Sequence, residues 1–279
     1  MAGAARAPRA PDREGRAARR PRRPRRDRPH RPPGPQGGVP DDRACPAPPS
    51  PGDGIPATVR GPPPPPRVLR RAPWTAAAFA ALDFETTGLD PSRDAVVSFG
   101  VVPVLEGRVV VGGAVYREVA PSVPLTGASV VVHGIRPADV AGAPVLEEVR
   151  AELAAALAGR FPLAWGAGIE AAFLARIFGG RPRAWRRRIV DVLRLAEVAD
   201  AVPVGEERSL TAVAARLGVP VERPHHALDD ALTTAQVFLV LMARLAPRGY
   251  DTPARLLRAS RSAPRTSLRG PGRVGAGAG

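Results

Sequence analysis

The chain has 279 residues, room for one ordinary domain with long flanks or for two small domains. Its formal net charge is +15 and every one of its 41 basic residues is arginine, but the charge is uneven: 17 Arg against 6 acids over residues 1–73, 17 against 19 over 74–247, and 7 against 1 over 248–279. Cys45 stands alone, which excludes an internal disulfide framework and a cysteine-built zinc site, and no apolar stretch approaches the roughly 20 residues that span a bilayer.

Residues 1–73, with RRPRRPRRDRPHRPPGPQGG and GPPPPPR, have almost no periodic apolar pattern. Such a segment buries too little surface to offset its ordering entropy, and a disordered tail is predicted. Arginine-rich tails attract phosphate through counterion release but bring no sequence readout and no chemistry; biased base composition accounts for them equally well. The start of the chain lacks the apolar core of a secretory signal, so a cytoplasmic protein is expected. The abrupt change of texture near Trp74 carries the further expectation that part of the tail is not translated.

From Trp74 the pattern becomes that of a folded domain. AAAFAALDFE reads as a buried strand, ended by the turn signal TTGLDPSRD. AVVSFGVVPVLEG and RVVVGGAVYREV are β-rich runs that Glu106 and Gly107 join as a hairpin. VLEEVRAELAAALAG is an amphipathic helix, FPLAW a short strand and IEAAFLARIF a helix stopped by Gly179 and Gly180. IVDVLRL passes from strand to helix. SLTAVAARLG is a helix capped by Ser209 and Gly218, and ALDDALTTAQVFLVLMARLA a long helix ending before Pro247. The expected architecture is one α/β domain over residues 74–247: a mixed five-stranded sheet with helices on both faces. Residues 248–279 revert to Arg, Gly, Ala and Pro and read as a second disordered tail.

Three segments carry candidate chemistry. Asp83 and Glu85 share one face of their strand, with Leu82 and Phe84 on the other. Two carboxylates in an apolar strand are costly unless compensated, and no arginine is adjacent, so a divalent metal is the natural partner; the other reading is a strand end emerging into solvent at Thr86 and Thr87. In PHHALDDA, His225 precedes a helix whose first turn holds Asp229 and Asp230. Acids at a helix N-terminus also complement the macrodipole, and periodicity leaves open which aspartate faces the sheet. Glu170 in WGAGIEAAFL sits in a first helical turn with the same alternative.

Together, Asp83, Glu85, Asp230 and His225 follow the order of the DEDD superfamily of 3′–5′ exonucleases in its histidine-bearing, DnaQ-like subgroup. The chain resembles the proofreading subunits of bacterial replicative polymerases, oligoribonuclease and RNase T. DFETTGLD is similar to the first family motif, and HHALDDA to the third, which selects His225 with Asp230. VVHGIRPADVAGAP resembles the H-G-I segment, placing His133, and SLTAVAARLGVP the helix before the third motif. The second motif departs: where relatives read approximately A-H-N-A-x-F-D, this chain has AWGAGIE, with Glu170 in place of aspartate.

The resemblance implies an RNase H-like fold and hydrolysis of phosphodiesters from 3′ ends with two divalent cations, Mg²⁺ or Mn²⁺, roughly 3.5–4 Å apart. Asp83 would bridge the cations, Glu85 and Asp230 hold the one carrying the attacking water, and Glu170 support the other. His225 suits the general base, an imidazole having an unperturbed pKa of about 6.5. Thr86, Thr87, Leu89 and His133 would bind the terminal nucleotide. Single-stranded DNA is favoured over RNA as substrate, with a DNA polymerase as candidate partner and no membrane. In residues 181–188, RPRAWRRR interleaves Trp185 with five arginines, either as a path for the strand or as a solvated loop. Two other functions compete: a binding or scaffold module that has lost turnover, motivated by the altered second motif, and an RNase H-like endonuclease.

Overall fold

A computed structural model describes residues 61–203 and 205–261. Strand β1 (Phe79–Thr86) is central, antiparallel to β2 (Val96–Leu105) and parallel to β5 (Phe161–Ala164), which is parallel in turn to β6 (Val190–Asp191). β3 (Arg108–Val109) and β4 (Val115–Glu118) both pair with β2, giving six strands where five were expected. The hairpin at Glu106 and Gly107 forms as predicted. The extra strand arises because residues 108–118, expected as one run, break at a 3-10 turn over Val111–Gly113. A pair of glycines there offers nothing to pack and interrupts the ladder.

The order of helices follows. α1 (Gly127–His133) and α2 (Pro137–Val140) occupy what read as a connecting stretch; α3 (Leu146–Leu157), α4 (Gly168–Phe178) and α5 (Pro182–Arg186) come next. α6 (Val192–Val198) and α7 (Leu210–Leu217) lead to the long α8 (Ala227–Leu245) and to α9 (Pro253–Ala259). Period-two alternation along β1 divides the core into two layers. Phe79 and Ala81 pack with Phe238, Leu241 and Met242 of α8, the Phe79 and Phe238 rings 5.1 Å apart. Ala80, Leu82 and Phe84 pack with α3 and α4 through Leu153, Leu157, Phe173 and Leu174. Each fully buried Phe, Leu or Met side chain among these contributes about 1.5–3 kcal/mol.

The folded region outruns the limits predicted for it. Pro62 is buried, Arg67–Arg70 form a 3-10 turn, and Trp74 donates its backbone N–H to the Asp251 carbonyl. α9 buries Leu256 and Leu257, and its last turn delivers Ser260, whose hydroxyl accepts from the Asp191 backbone N–H. Disorder expected of 61–73 and 248–261 is therefore corrected: a two-leucine helix is too short a signal to stand out against Arg-rich flanks. The disorder and untranslated start expected of residues 1–60, and the disorder expected of 262–279, lie outside the described residues. Among the described residues, no helix is long and apolar enough to cross a membrane.

Gly100, opposite Asp83 in the β1–β2 register, decides how α8 meets the sheet. A Cβ there would lie 2.3 Å from the Ala227 carbonyl oxygen, so α8 starts in direct backbone contact with β2. Gly100→Ala is expected to cost about 1–3 kcal/mol of stability through overpacking. It should cost more in turnover, because Asp230 rides on the displaced turn and a shift of about 1 Å in a catalytic group can cost about 10²-fold. Thermal melts beside rate measurements check this; equal, small losses in both would contradict the seating role.

Candidate active site

β1 and α8 build the centre between them. Asp83 and Glu85 point to the α8 side of the sheet, where the core layer ends and the first turn of the helix presents Asp230. One ligand oxygen from each of Asp83, Glu85 and Asp230 lies within 4.8 Å of the others. Where periodicity leaves both neighbouring aspartates open, the fold separates them. Asp229 turns outward to Arg223 (2.6 Å) and lies 3.6 Å from His226 Nδ1, while Asp230 joins the acidic group.

Little that is positive compensates these acids: among the described residues, no arginine pairs with Asp83, Glu85 or Asp230, and only His225 and His226 ease the charge of Asp230. Burial first, then the charges of Glu170, Glu85 and Asp230, hold the Asp83 carboxyl well above the usual carboxylate range. Burial and then Asp230 push Glu85 up to about 8. Asp230 is raised by burial against the opposing pull of the His225 backbone N–H, which donates to its Oδ2 at 2.9 Å.

Glu170 stands beside Asp83 but outside the three-acid group. It is buried, its Oε2 has no hydrogen-bond partner, and burial is the main cause that brings it up to about 7. Asp191 raises it further, while its own backbone N–H and Arg186 lower it. Asp191, at the end of β6, is 2% exposed and accepts from Arg186 at 2.6 Å and from the Arg194 backbone N–H. The Arg186 and Asp191 pair escaped sequence analysis: one arginine of a run and one aspartate of a strand end carry no signal until the fold juxtaposes them.

His225 is exposed and has φ +61, a left-handed conformation uncommon for a residue with a Cβ. That turn lets its backbone N–H reach Asp230 while the imidazole stays at the rim. Its charge, after burial, lowers the pKa of His133, whose Nδ1 accepts from Ile135 N–H and whose Nε2 is buried without a partner. Leu89 is 74% exposed at the end of the first motif. Thr86 donates its hydroxyl to the Gly88 carbonyl. Thr87, expected to bind the terminal nucleotide, is 3% exposed, and its hydroxyl donates to Asp94 and accepts from Ala95 N–H. Its side chain braces the turn. Gly88 completes that brace, since a Cβ would meet the Asp94 carboxylate at 2.4 Å. Trp185 is likewise withdrawn: it is buried, donates Nε1–H to the Gly179 carbonyl, and lies under Arg188. Base stacking on it is excluded.

Three like charges and an orphaned carboxylate oxygen, gathered without a cation, are unfavourable unless something positive is supplied, and an all-oxygen donor set suits a hard divalent ion. The acids therefore fit a metal of that kind. Stability without metal should show the mismatch. Glu85 and Glu170 ionise at 4.5 in the unfolded chain but keep protons to about 8 and about 7 in the fold. Between pH 4.5 and 8 the folded state binds more protons, so stability falls as pH rises, by about 1.4 kcal/mol per unit for each proton held. In chelator, Tm should decline from pH 6 to 8, and Mn²⁺ should restore most at the alkaline end, where ligands are already deprotonated. A Tm that is flat or rising with pH in chelator would refute this.

Fold and site define a class: an RNase H-like sheet with a carboxylate centre shared by its first strand and last long helix. The family model for the RNase T exonucleases matches residues 80–238, and the chain belongs to that family, within the histidine-bearing DEDD 3′–5′ exonuclease superfamily. It is 34% identical over 187 residues to a DNA polymerase III subunit epsilon-like protein of Rhodobacter capsulatus, an alignment covering 66% of this chain and 26% of that protein. A PolC-type DNA polymerase III of Thermotoga petrophila is 34% identical over 167 residues, covering 58% of this chain and 12% of the polymerase. The chain thus matches only about a quarter or less of these relatives' length. Escherichia coli exonuclease I, solved with a dT13 oligonucleotide, has a similar fold, with a TM-score of 0.54 and 18% identity over 62% of this chain and 42% of that one.

Proposed function

We propose that this chain is a metal-dependent 3′–5′ exonuclease that removes nucleotides from single-stranded DNA. The observation that carries the reading is the meeting of Asp83, Glu85 and Asp230 within 4.8 Å, on a motif frame shared with exonucleases. Asp83, Glu85 and Asp230 would hold divalent cations, two by analogy with the family, and Glu170 would support the second from its buried position. Bound there, Mg²⁺ or Mn²⁺ would supply charge stabilisation to the phosphate and a more acidic water. His225, on the rim, takes the proton of the attacking water, and its backbone keeps Asp230 turned inward. Leu89 and His133 lie against the terminal nucleotide, and Thr86 and Thr87 shape the turn that carries Leu89. DNA is preferred to RNA because the relatives at 34% identity are named as DNA polymerase components, and a polymerase is the partner proposed on the same ground.

The test is digestion of a 5′-labelled single strand by the full chain with Mg²⁺ or Mn²⁺, beside duplex DNA and short RNA. The expected product is a ladder shortening from the 3′ end, absent in chelator. Internal fragments would make the chain an endonuclease. Binding without cleavage would make it a scaffold, and faster attack on RNA would overturn the substrate.

A further inference from the structure

Away from the carboxylates, the described residues carry a second charged surface. The 3-10 turn Arg67–Arg70, the end of α5 and the outer face of α9 enclose two adjoining clefts of about 360 and 640 Å³. Arg67 and Arg70 line both, Arg187 and Arg188 the first, Arg71 and Arg258 the second, and no acidic residue lines either. Arg67, Arg70, Arg71 and Arg187 are exposed, and none forms an ion pair among the described residues. Their backbone is held in place. Arg188 donates to the Pro62 carbonyl, Gly159 N–H donates to the Pro63 carbonyl, and Leu69 packs on the core with Leu257 below. The exposed guanidinium groups of Arg67, Arg70, Arg71 and Arg187, carried on an anchored backbone over an apolar floor, match a row of phosphates, each group offering a planar fork of donors.

The place of this surface argues for the substrate's own strand. Its floor includes Phe161 and Pro162, which pair with Phe79 and Ala80 at the opening of β1, about four residues or ~13 Å along the strand from Asp83. It cannot touch the reacting phosphate. Residues 74–247 carry 17 Arg against 19 acids, so beyond the cations at the catalytic mouth this region has no excess of positive charge to draw in the rest of a polyanion. The flanking sequence continues the same sign, with 14 Arg against 6 acids before Gly61 and 3 Arg and no acids after Arg261.

We infer that Arg67, Arg70, Arg71 and Arg187 form a remote contact for the sugar–phosphate backbone of the single strand whose 3′ end lies at the carboxylates. This rests on the exonuclease reading. It makes the enzyme sensitive to strand length: a strand long enough to reach both places gains affinity that a trinucleotide does not.

The experiment compares the full chain with Arg67→Gln/Arg70→Gln/Arg71→Gln/Arg187→Gln and with the matching Lys variant, all retaining both flanks. Affinity for a fluorescent 30-nucleotide strand is titrated against salt, and kcat/KM is measured on that strand and on a trinucleotide. In the Gln variant the slope of log Kd against log salt should fall by about 3, since each neutralised phosphate contributes about 0.7. Its kcat/KM on the long strand should drop at least about 10-fold, with the trinucleotide unaffected and the Lys variant close to wild type. An unchanged slope, equal loss on both lengths, or loss of folding in the Gln variant alone would overturn the contact, while leaving trinucleotide cleavage by the wild-type chain as support for the nuclease reading. Conversely, if the wild-type chain cleaves nothing but the Gln variant still loses slope, the nuclease reading fails and the binding surface stands. Tighter binding of duplex than of single strand would also reject the assigned occupant.

Discussion

Asp83→Asn is expected to lower 3′-end hydrolysis by about 10³-fold or more and, in chelator, to raise the melting temperature. Asparagine keeps the shape of the side chain, so the two effects separate chemistry from folding. Asp83 is surrounded by Glu170, Glu85 and Asp230, and its charge is opposed by burial as well as by all three. Removing that charge relieves the metal-free fold. The same change removes a central donor for the cation that would stabilise the phosphate, a contribution of several kcal/mol, and each 1.36 kcal/mol is tenfold in rate. Rate measurements under Mg²⁺ and melts in chelator are read together. Retained turnover, or a loss accompanied by destabilisation, would refute the assignment of Asp83 to metal binding.

His225→Asn is expected to slow turnover by about 10²–10⁴-fold, the range for loss of a general acid–base group. Asparagine is chosen because it tolerates the left-handed conformation at φ +61, so the backbone N–H stays on Asp230 Oδ2 and the substitution removes only the imidazole. Metal affinity should be nearly unchanged, and the rate should recover in part at alkaline pH, where hydroxide is more abundant. Near-normal turnover at neutral pH would show that the proton leaves by another route. A parallel collapse of metal binding would show that the residue acts through Asp230 instead. Against that second outcome stands the exposure of the ring, which leaves it free to meet a water and a phosphate at the rim.

Along the chain, the strong local signals mark most of the elements. The apolar run in AAAFAALDFE, the Glu106–Gly107 turn, the Ser209 cap and the Gly218 stop each bias the backbone through their nearest neighbours, and all four appear where the pattern puts them. The face shared by Asp83 and Glu85 is equally local, since it follows from the pleat alone. Weak or composite signals failed. α9 rests on two leucines among arginines, and the break between β3 and β4 on a Val-Gly-Gly turn inside a β-rich run.

The amino-acid order by itself determined the exonuclease motif frame, the two-layered α/β core and the identity of the acids. Only the tertiary structure decided that Thr87 and Trp185 are turned inward and that Glu170 answers to Arg186 and Asp191. It also brought the arginines of residues 61–73 beside Arg187 and Arg188, which follow α5, and Arg258 of α9. The physical reason is distance along the chain: periodicity reports how a side chain stands relative to its own element. What that side chain meets depends on how separate elements are packed, as Gly100 shows by admitting the start of α8 at bare backbone contact.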